Sequence, residues 1–157
     1  MALVGPLFFD TSVLVAGLID FGESARQAQR IFDAIANGQV RRPHTAWHCC
    51  LEFYAVSTRL PEDLRLSPAD SWRLVDEELL TRFEVDQLPK KAERSFLQAA
   101  ASDRVAGGRI YDAHIAEIAR LAGARVVVTD NRRHFTPLLR HGIRVLSAEE
   151  FASSLRP

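Results

Sequence analysis

The chain has 157 residues, 47% hydrophobic and 25% charged, a balance that fits one folded domain over 1–157 and excludes a disordered or fibrous chain. No basic stretch leads into an apolar one and no run of eighteen apolar residues occurs, so neither secretion nor membrane spanning is expected and the cytoplasm is the expected compartment. Twenty basic residues balance twenty acidic ones, so the chain lacks the global positive field that gathers polyanions, and any such partner has to be held by local charge.

Leu3, Val4, Leu7, Phe8 and Phe9 form a short apolar block running into Asp10, too brief for a helix and suited to a buried strand, with Pro6 making its first part irregular. A first helical turn or two is expected over Thr11 to Leu18, and a clearer helix over Ser24 to Asn37, stopped by Asn37 and Gly38. Gln39 to Arg42 reads as a short strand leading to Pro43. The next helix, Thr45 to Arg59, carries Trp47, Leu51, Tyr54 and Ala55 at helical spacing and ends before Pro61. Cys49 and Cys50 are neighbours on it, badly placed to bridge each other and lacking a C-x-x-C spacing, so they read as small core residues.

Ser67 and Pro68 form a start signal for a helix from Pro68 to Thr81, because the serine can cap and proline fits the first turn. Phe83 to Gln87 alternates like a strand, and Pro89 to Asp103 reads as a helix ending in a Gly107-Gly108 loop. Ile110 to Ala122 is an amphipathic helix closed by Gly123, followed by the β-branched block Val126 to Val128, which ends at Thr129 and Asp130. A turn of helix over Leu138 to His141, a strand over Ile143 to Leu146 and a capping box of Ser147 with Glu150 complete the pattern. Strands alternating with helices imply a three-layer α/β/α sandwich around a mainly parallel sheet of about five strands. Ligands in such sheets bind beyond the carboxyl ends of the strands, where two strands here end in Asp10 and Asp130.

Two further acids fall where carboxylates are costly. Counting back three residues from Ile115 puts Asp112 on the apolar stripe of its helix, and Glu52 shares a face with Ala55 and Val56 at the margin of the Leu51 stripe. Taken singly, Asp10 also serves as a helix N-cap, Asp112 as a first-turn acid and Asp130 as a turn residue. Taken together, two like charges about 4 Å apart repel by roughly 4 kcal/mol at an effective dielectric of about 20, so protons or cations have to intervene. Mg²⁺ and Mn²⁺, which choose oxygen ligands, are the natural counterions, and a pair of them can stabilise both oxygens exchanged at a phosphodiester.

Phe8-Phe9-Asp10-Thr11-Ser12-Val13-Leu14-Val15, Leu51-Glu52-Phe53-Tyr54-Ala55-Val56, Tyr111-Asp112-Ala113-His114-Ile115-Ala116 and Val128-Thr129-Asp130-Asn131-Arg132-Arg133-His134-Phe135 resemble, in order and spacing, the four motifs of PIN domains. The size and the closing Thr-Asp-Asn-Arg-Arg-His-Phe resemble the VapC-type toxins of toxin–antitoxin pairs, small ribonucleases silenced by an antitoxin. The resemblance implies that Asp10 and Asp112 ligate Mg²⁺ or Mn²⁺, with Glu52 and Asp130 completing the pocket directly or through water. It also implies that a metal-activated water cuts RNA to leave a 5′-phosphate and a 3′-hydroxyl. Thr11, Ser12 and Thr129 would hydrogen-bond the carboxylates and fix their rotamers. All but two of the basic residues are arginine, and Arg41, Arg42, Arg59, Arg132 and Arg133 stand near element ends where they would receive phosphates.

Three other readings compete. His44, His48 and Glu52 at four-residue steps would make a zinc site if all lay on one helix, although the H-E-x-x-H glutamate is missing. Asp10 at the end of a first strand also fits an aspartate-nucleophile phosphatase, or a receiver, but Ser12 stands where the former has a second aspartate and the acidic pair of the latter is absent. A degenerate PIN domain that only binds RNA or protein is the third. A homodimer is expected from the resemblance and from Trp72, Leu74, Val75 and Leu79, with Trp47, Trp72 and the nine phenylalanines serving core or dimer contacts.

Overall fold

Five three-residue strands among the described residues pair into a single sheet. The structure, a computed structural model, describes residues 5–157, so the expected strand residues Leu3 and Val4 lie outside it. In chain order the elements are β1 (Leu7–Phe9), α1 (Thr11–Leu18), α2 (Arg26–Ala36), β2 (His44–Ala46), α3 (Trp47–Ser57), α4 (Pro68–Leu74), β3 (Glu84–Asp86), α5 (Glu93–Ser102), α6 (Arg109–Leu121), β4 (Val126–Val128), β5 (Arg144–Leu146) and α7 (Ala148–Ser154).

The sheet runs β3-β2-β1-β4-β5, and all four pairings are parallel. Leu7, Phe8 and Phe9 lie opposite Val126, Val127 and Val128. Successive strand residues face opposite sides, and Phe8, Phe9, Val127 and Val128 are all fully buried, so both faces of the sheet are covered, as the expected sandwich requires. Phe9 packs edge-on against Phe83 and Phe151 at 6.1 and 5.4 Å between ring centres, locking the middle strand to its flanks. Strand order reverses at β1, with β2 on one side and β4 on the other, so the crevice of an open parallel sheet falls at the carboxyl ends of β1 and β4.

Several elements differ from the sequence reading. Residues 39–42 form a turn and bend instead of a strand: Gln39 and Val40 both donate to the Ala34 carbonyl, and Arg42 has φ 50°. The second strand starts past Pro43 and takes His44 to Ala46 from what looked like a helix start, its edges satisfied by Phe8 on one side and by Glu84 to Asp86 on the other. The helix expected over Pro68 to Thr81 is capped by Ser67 as foreseen, but it widens into a π turn over Val75–Leu80. The helix expected from Pro89 splits into a 3-10 turn, Lys90–Ala92, and α5. The capping box of Ser147 and Glu150 forms as read.

Candidate metal centre

Asp10 leaves the end of β1 with its N–H bonded to the Val128 carbonyl at 3.0 Å, which ties it to the end of β4. Only 2% of its surface is exposed. It precedes α1 without making the usual side-chain capping bond; instead Oδ2 accepts from Thr129 Oγ1 at 2.8 Å and Ser12 Oγ at 3.1 Å. Among the described residues it has no cationic partner. Burial therefore pushes its pKa up to about 6, the Asp112 charge adds to the rise, and the bonds from Thr129, Thr11 and Ser12 oppose it.

Glu52 projects from α3, where Oε1 accepts from Thr11 Oγ1 at 3.1 Å and lies 3.5 Å from His48 Nε2. Its pKa is raised, first by burial and also by Asp112, with Arg59 opposing. Asp112 stands in the first turn of α6 and reaches His134 Nδ1 with Oδ2 at 2.6 Å. The charge of Asp112 is felt at both Asp10 and Glu52, so the three acids from β1, α3 and α6 share one electrostatic neighbourhood.

Asp130 is placed differently. Its N–H donates to Ser12 Oγ at 3.1 Å, which keeps it beside Asp10, but its carboxylate is exposed and accepts from the Ala148 N–H at the start of α7 at 3.2 Å. Three acids are thus electrostatically coupled and the fourth is turned to a helix N-terminus at the rim, where backbone N–H groups favour an anion. Among the described residues no three His, Cys, Asp or Glu side chains are already gathered around one point. Repulsion explains the spread, since each carboxylate leans on its own hydroxyl, imidazole or amide donor. The donor set still fits a hard dication: oxygen ligands, one of them deeply buried, carrying charge with no protein cation to balance it.

Thr11, Ser12 and Thr129 hold the carboxylates as expected, and Thr129 Oγ1 also accepts the Asn131 N–H at 3.0 Å. Sequence reasoning, which takes His48 as partly buried and hydrogen-bonded, gives no role to His114 or His134. His134 lies in the fourth motif without a role until its bond to Asp112 is seen, and His114, two residues after Asp112, meets His48 at 2.8 Å between Nδ1 atoms. Burial lowers the pKa of both, so they share one proton as a neutral donor–acceptor pair. The zinc alternative finds no support: His44 sits on β2, before the helix that carries His48 and Glu52, and bonds Asp86 Oδ2 at 2.8 Å.

The five arginines divide. Arg41 and Arg42 precede β2 at the amino ends of the strands, opposite the acids, and Arg42 pairs with Glu84 at 3.5 Å. Arg132 pairs with Glu150, whereas Arg133 is exposed in the 3-10 turn Arg132–His134. Arg59 follows α3 and lines a hollow with Glu52 and Tyr111. A larger hollow of about 440 Å³ opens beside Glu52 between Trp47, Leu51, Leu88 and Ile118, with His48, His114 and Glu93 at its polar edge.

A family model described as PIN domain matches residues 7–136. Ribonuclease VapC40 of Mycobacterium tuberculosis is 32% identical over 123 residues, covering 78% of this chain and 85% of that relative. Ribonuclease VapC27 of the same species is 33% identical over 132 residues, covering 81% and 86%. Two solved structures share the fold at 14% identity. VapBC2 from Rickettsia felis bound to a DNA fragment from their promoter has a TM-score of 0.60, covering 91% of this chain and 98% of that chain. VapBC-1 from nontypeable Haemophilus influenzae has 0.63, covering 92% and 99%.

Proposed function

This chain belongs to the PIN domain family, and from that premise we propose that it is a VapC-like endoribonuclease, the toxin of a toxin–antitoxin pair, that hydrolyses RNA phosphodiester bonds with Mg²⁺ or Mn²⁺. The observation that carries the reading is the Asp10 carboxyl, buried at the strand crossover, held only by hydroxyl and backbone donors and paired with no cationic side chain among the described residues. A binding module has no need of so costly a group.

Asp10 and Asp112 are assigned as the direct ligands, Glu52 as a third held by Thr11, and Asp130 as a rim acid that reaches the site through water or by releasing Ala148. Bound cations supply positive charge at the oxygens that enter and leave phosphorus. The protein's own contribution is placement. Ser12 and Thr129 fix the rotamer of Asp10, and His134 fixes that of Asp112, so the ligands need not be ordered at the moment of reaction. The products are a 5′-phosphate and a 3′-hydroxyl.

The antitoxin is assigned to the hollow beside Glu52 and the exposed Trp47, Leu51 and Tyr54 on α3, an apolar patch contiguous with the acids, so that its cover also closes the centre. The toxin acts in the cytoplasm as a homodimer. Among the described residues no helix is long and apolar enough to cross a membrane.

The test is cleavage of RNA with Mg²⁺ or Mn²⁺, with and without chelator, beside hydrolysis of a small phosphomonoester. Cleavage that needs metal and is lost in Asp10→Asn and Asp112→Asn supports the assignment. Metal-independent cleavage, or turnover of the phosphomonoester through an aspartyl intermediate, contradicts it.

A further inference from the structure

A second hollow, of about 160 Å³, is lined by Asp112 itself. One wall is a single face of α6, on which Arg109, Asp112, Ala113, Ala116, Glu117 and Arg120 follow at helical spacing. The opposite wall is His134 with the 3-10 turn Thr136–His141, which brings Arg140 and His141. Arg109 and Arg140 are exposed and pair with no carboxylate among the described residues, whereas Arg120 is committed to Glu117 through two bonds at 3.0 and 2.5 Å. Asp103 is the one other acid at this groove.

The two hollows therefore differ in charge. The one beside Glu52 carries Glu52 and Glu93 and no lysine or arginine, so it repels phosphate. The other offers two guanidiniums that pair with no carboxylate among the described residues, Arg140 donating through Nε to His141 Nε2 at 3.4 Å, over small alanines that let a backbone approach closely. Its wall from Arg109 to Arg120 runs roughly 16 Å, long enough to follow a few backbone phosphates. We propose that this groove between α5, α6 and the 136–141 turn carries the RNA backbone on one side of the scissile bond, with Arg109 and Arg140 gripping its phosphates. The inference rests on the ribonuclease reading, and neither arginine belongs to the set singled out from the sequence.

The test uses the full chain in a cleavage-silent Asp10→Asn background and a labelled single-stranded RNA 20-mer of mixed sequence, with binding read by anisotropy over a salt series in Mg²⁺. Arg109→Ala and Arg140→Ala should each weaken binding about 3- to 10-fold and flatten the slope of log K against log salt by about 0.7. The double variant Arg41→Ala/Arg42→Ala, at the opposite end of the strands, should change neither. An unchanged slope in Arg109→Ala/Arg140→Ala, or an equal loss in Arg41→Ala/Arg42→Ala, overturns the groove. If the wild-type chain cuts RNA with metal but Arg109→Ala/Arg140→Ala leaves binding and its salt slope unchanged, the groove alone is wrong; if the wild-type chain neither binds nor cuts RNA, the ribonuclease reading and the groove fall together.

Discussion

At the residue scale the account turns on a carboxyl whose proton affinity is raised, the reverse of a salt-bridged aspartate. Burial pushes the Asp10 carboxyl up to about 6 in the fold, against an ordinary value of 3.8. Between those values the folded chain holds a proton that the unfolded chain has lost, so stability falls as pH rises through this window, and the full penalty applies above pH 6. A shift of about two units corresponds to about 3 kcal/mol. With chelator present, Asp10→Asn should raise the melting temperature at pH 7 by several degrees and remove this residue's share of the gain on acidification to pH 5, as calorimetry would show; a lower melting temperature at pH 7 would contradict the assignment. His134→Ala should raise the Mn²⁺ concentration that gives half-maximal cleavage about 10- to 100-fold, because Asp112 loses the imidazole that orients it. An unchanged requirement would reduce that bond to packing. Asp10, Glu52 and Asp112 stand out in the sequence as candidates because one ends an apolar strand, one lies at the margin of an apolar stripe and one on such a stripe. His134 and the His48–His114 pair do not, since their meaning lies in contacts between residues 22 and 66 positions apart.

Among the elements, the legible ones carry their own local signals. β4 is a β-branched triplet and α7 has its capping box. β2 carries no such signal: His44, Thr45 and Ala46 become a strand only because β1 and β3 lie on either side, with Thr45 Oγ1 donating to the Phe9 carbonyl at 2.8 Å. α3 misled in another way. It is apolar on nearly every side, so periodicity could not choose its inner face; Cys49, Cys50, Phe53 and Ser57 are buried, while Trp47, Leu51 and Tyr54 face outward. The crossing of α1 and α2 yields a sharp prediction at Gly17, where an added Cβ would fall 2.2 Å from the Phe32 ring. Gly17→Ala should cost about 1–3 kcal/mol in urea unfolding, and shrinking the ring with Phe32→Leu in the same chain should restore part of it. A neutral Gly17→Ala would mean that the two helices separate freely.

Across the whole molecule, the three-layer parallel sheet was legible from the order of elements, whereas the surfaces left uncovered were not. Of the apolar residues expected to make a dimer on the helix from Pro68, Val75 and Leu79 are in the core and Trp72 alone is strongly exposed. Sedimentation at tens of micromolar should still find a dimer of the 17.6 kDa chain, reduced to monomer by Trp72→Arg; a wild-type monomer would contradict the assembly. The fold matters to the proposed function because the strand-order reversal at β1 delivers Asp10 and Thr129 to one place, next to which Thr11 bonds Glu52 of α3 and the charge of Asp112 of α6 is felt. The most direct measurement is the anomalous difference density of crystals soaked in Mn²⁺. A peak ligated by both Asp10 and Asp112, with Glu52 reaching it directly or through water, is the predicted result. Manganese bound elsewhere, with Asp10 still held only by its hydroxyls and Asp112 only by His134, would contradict it.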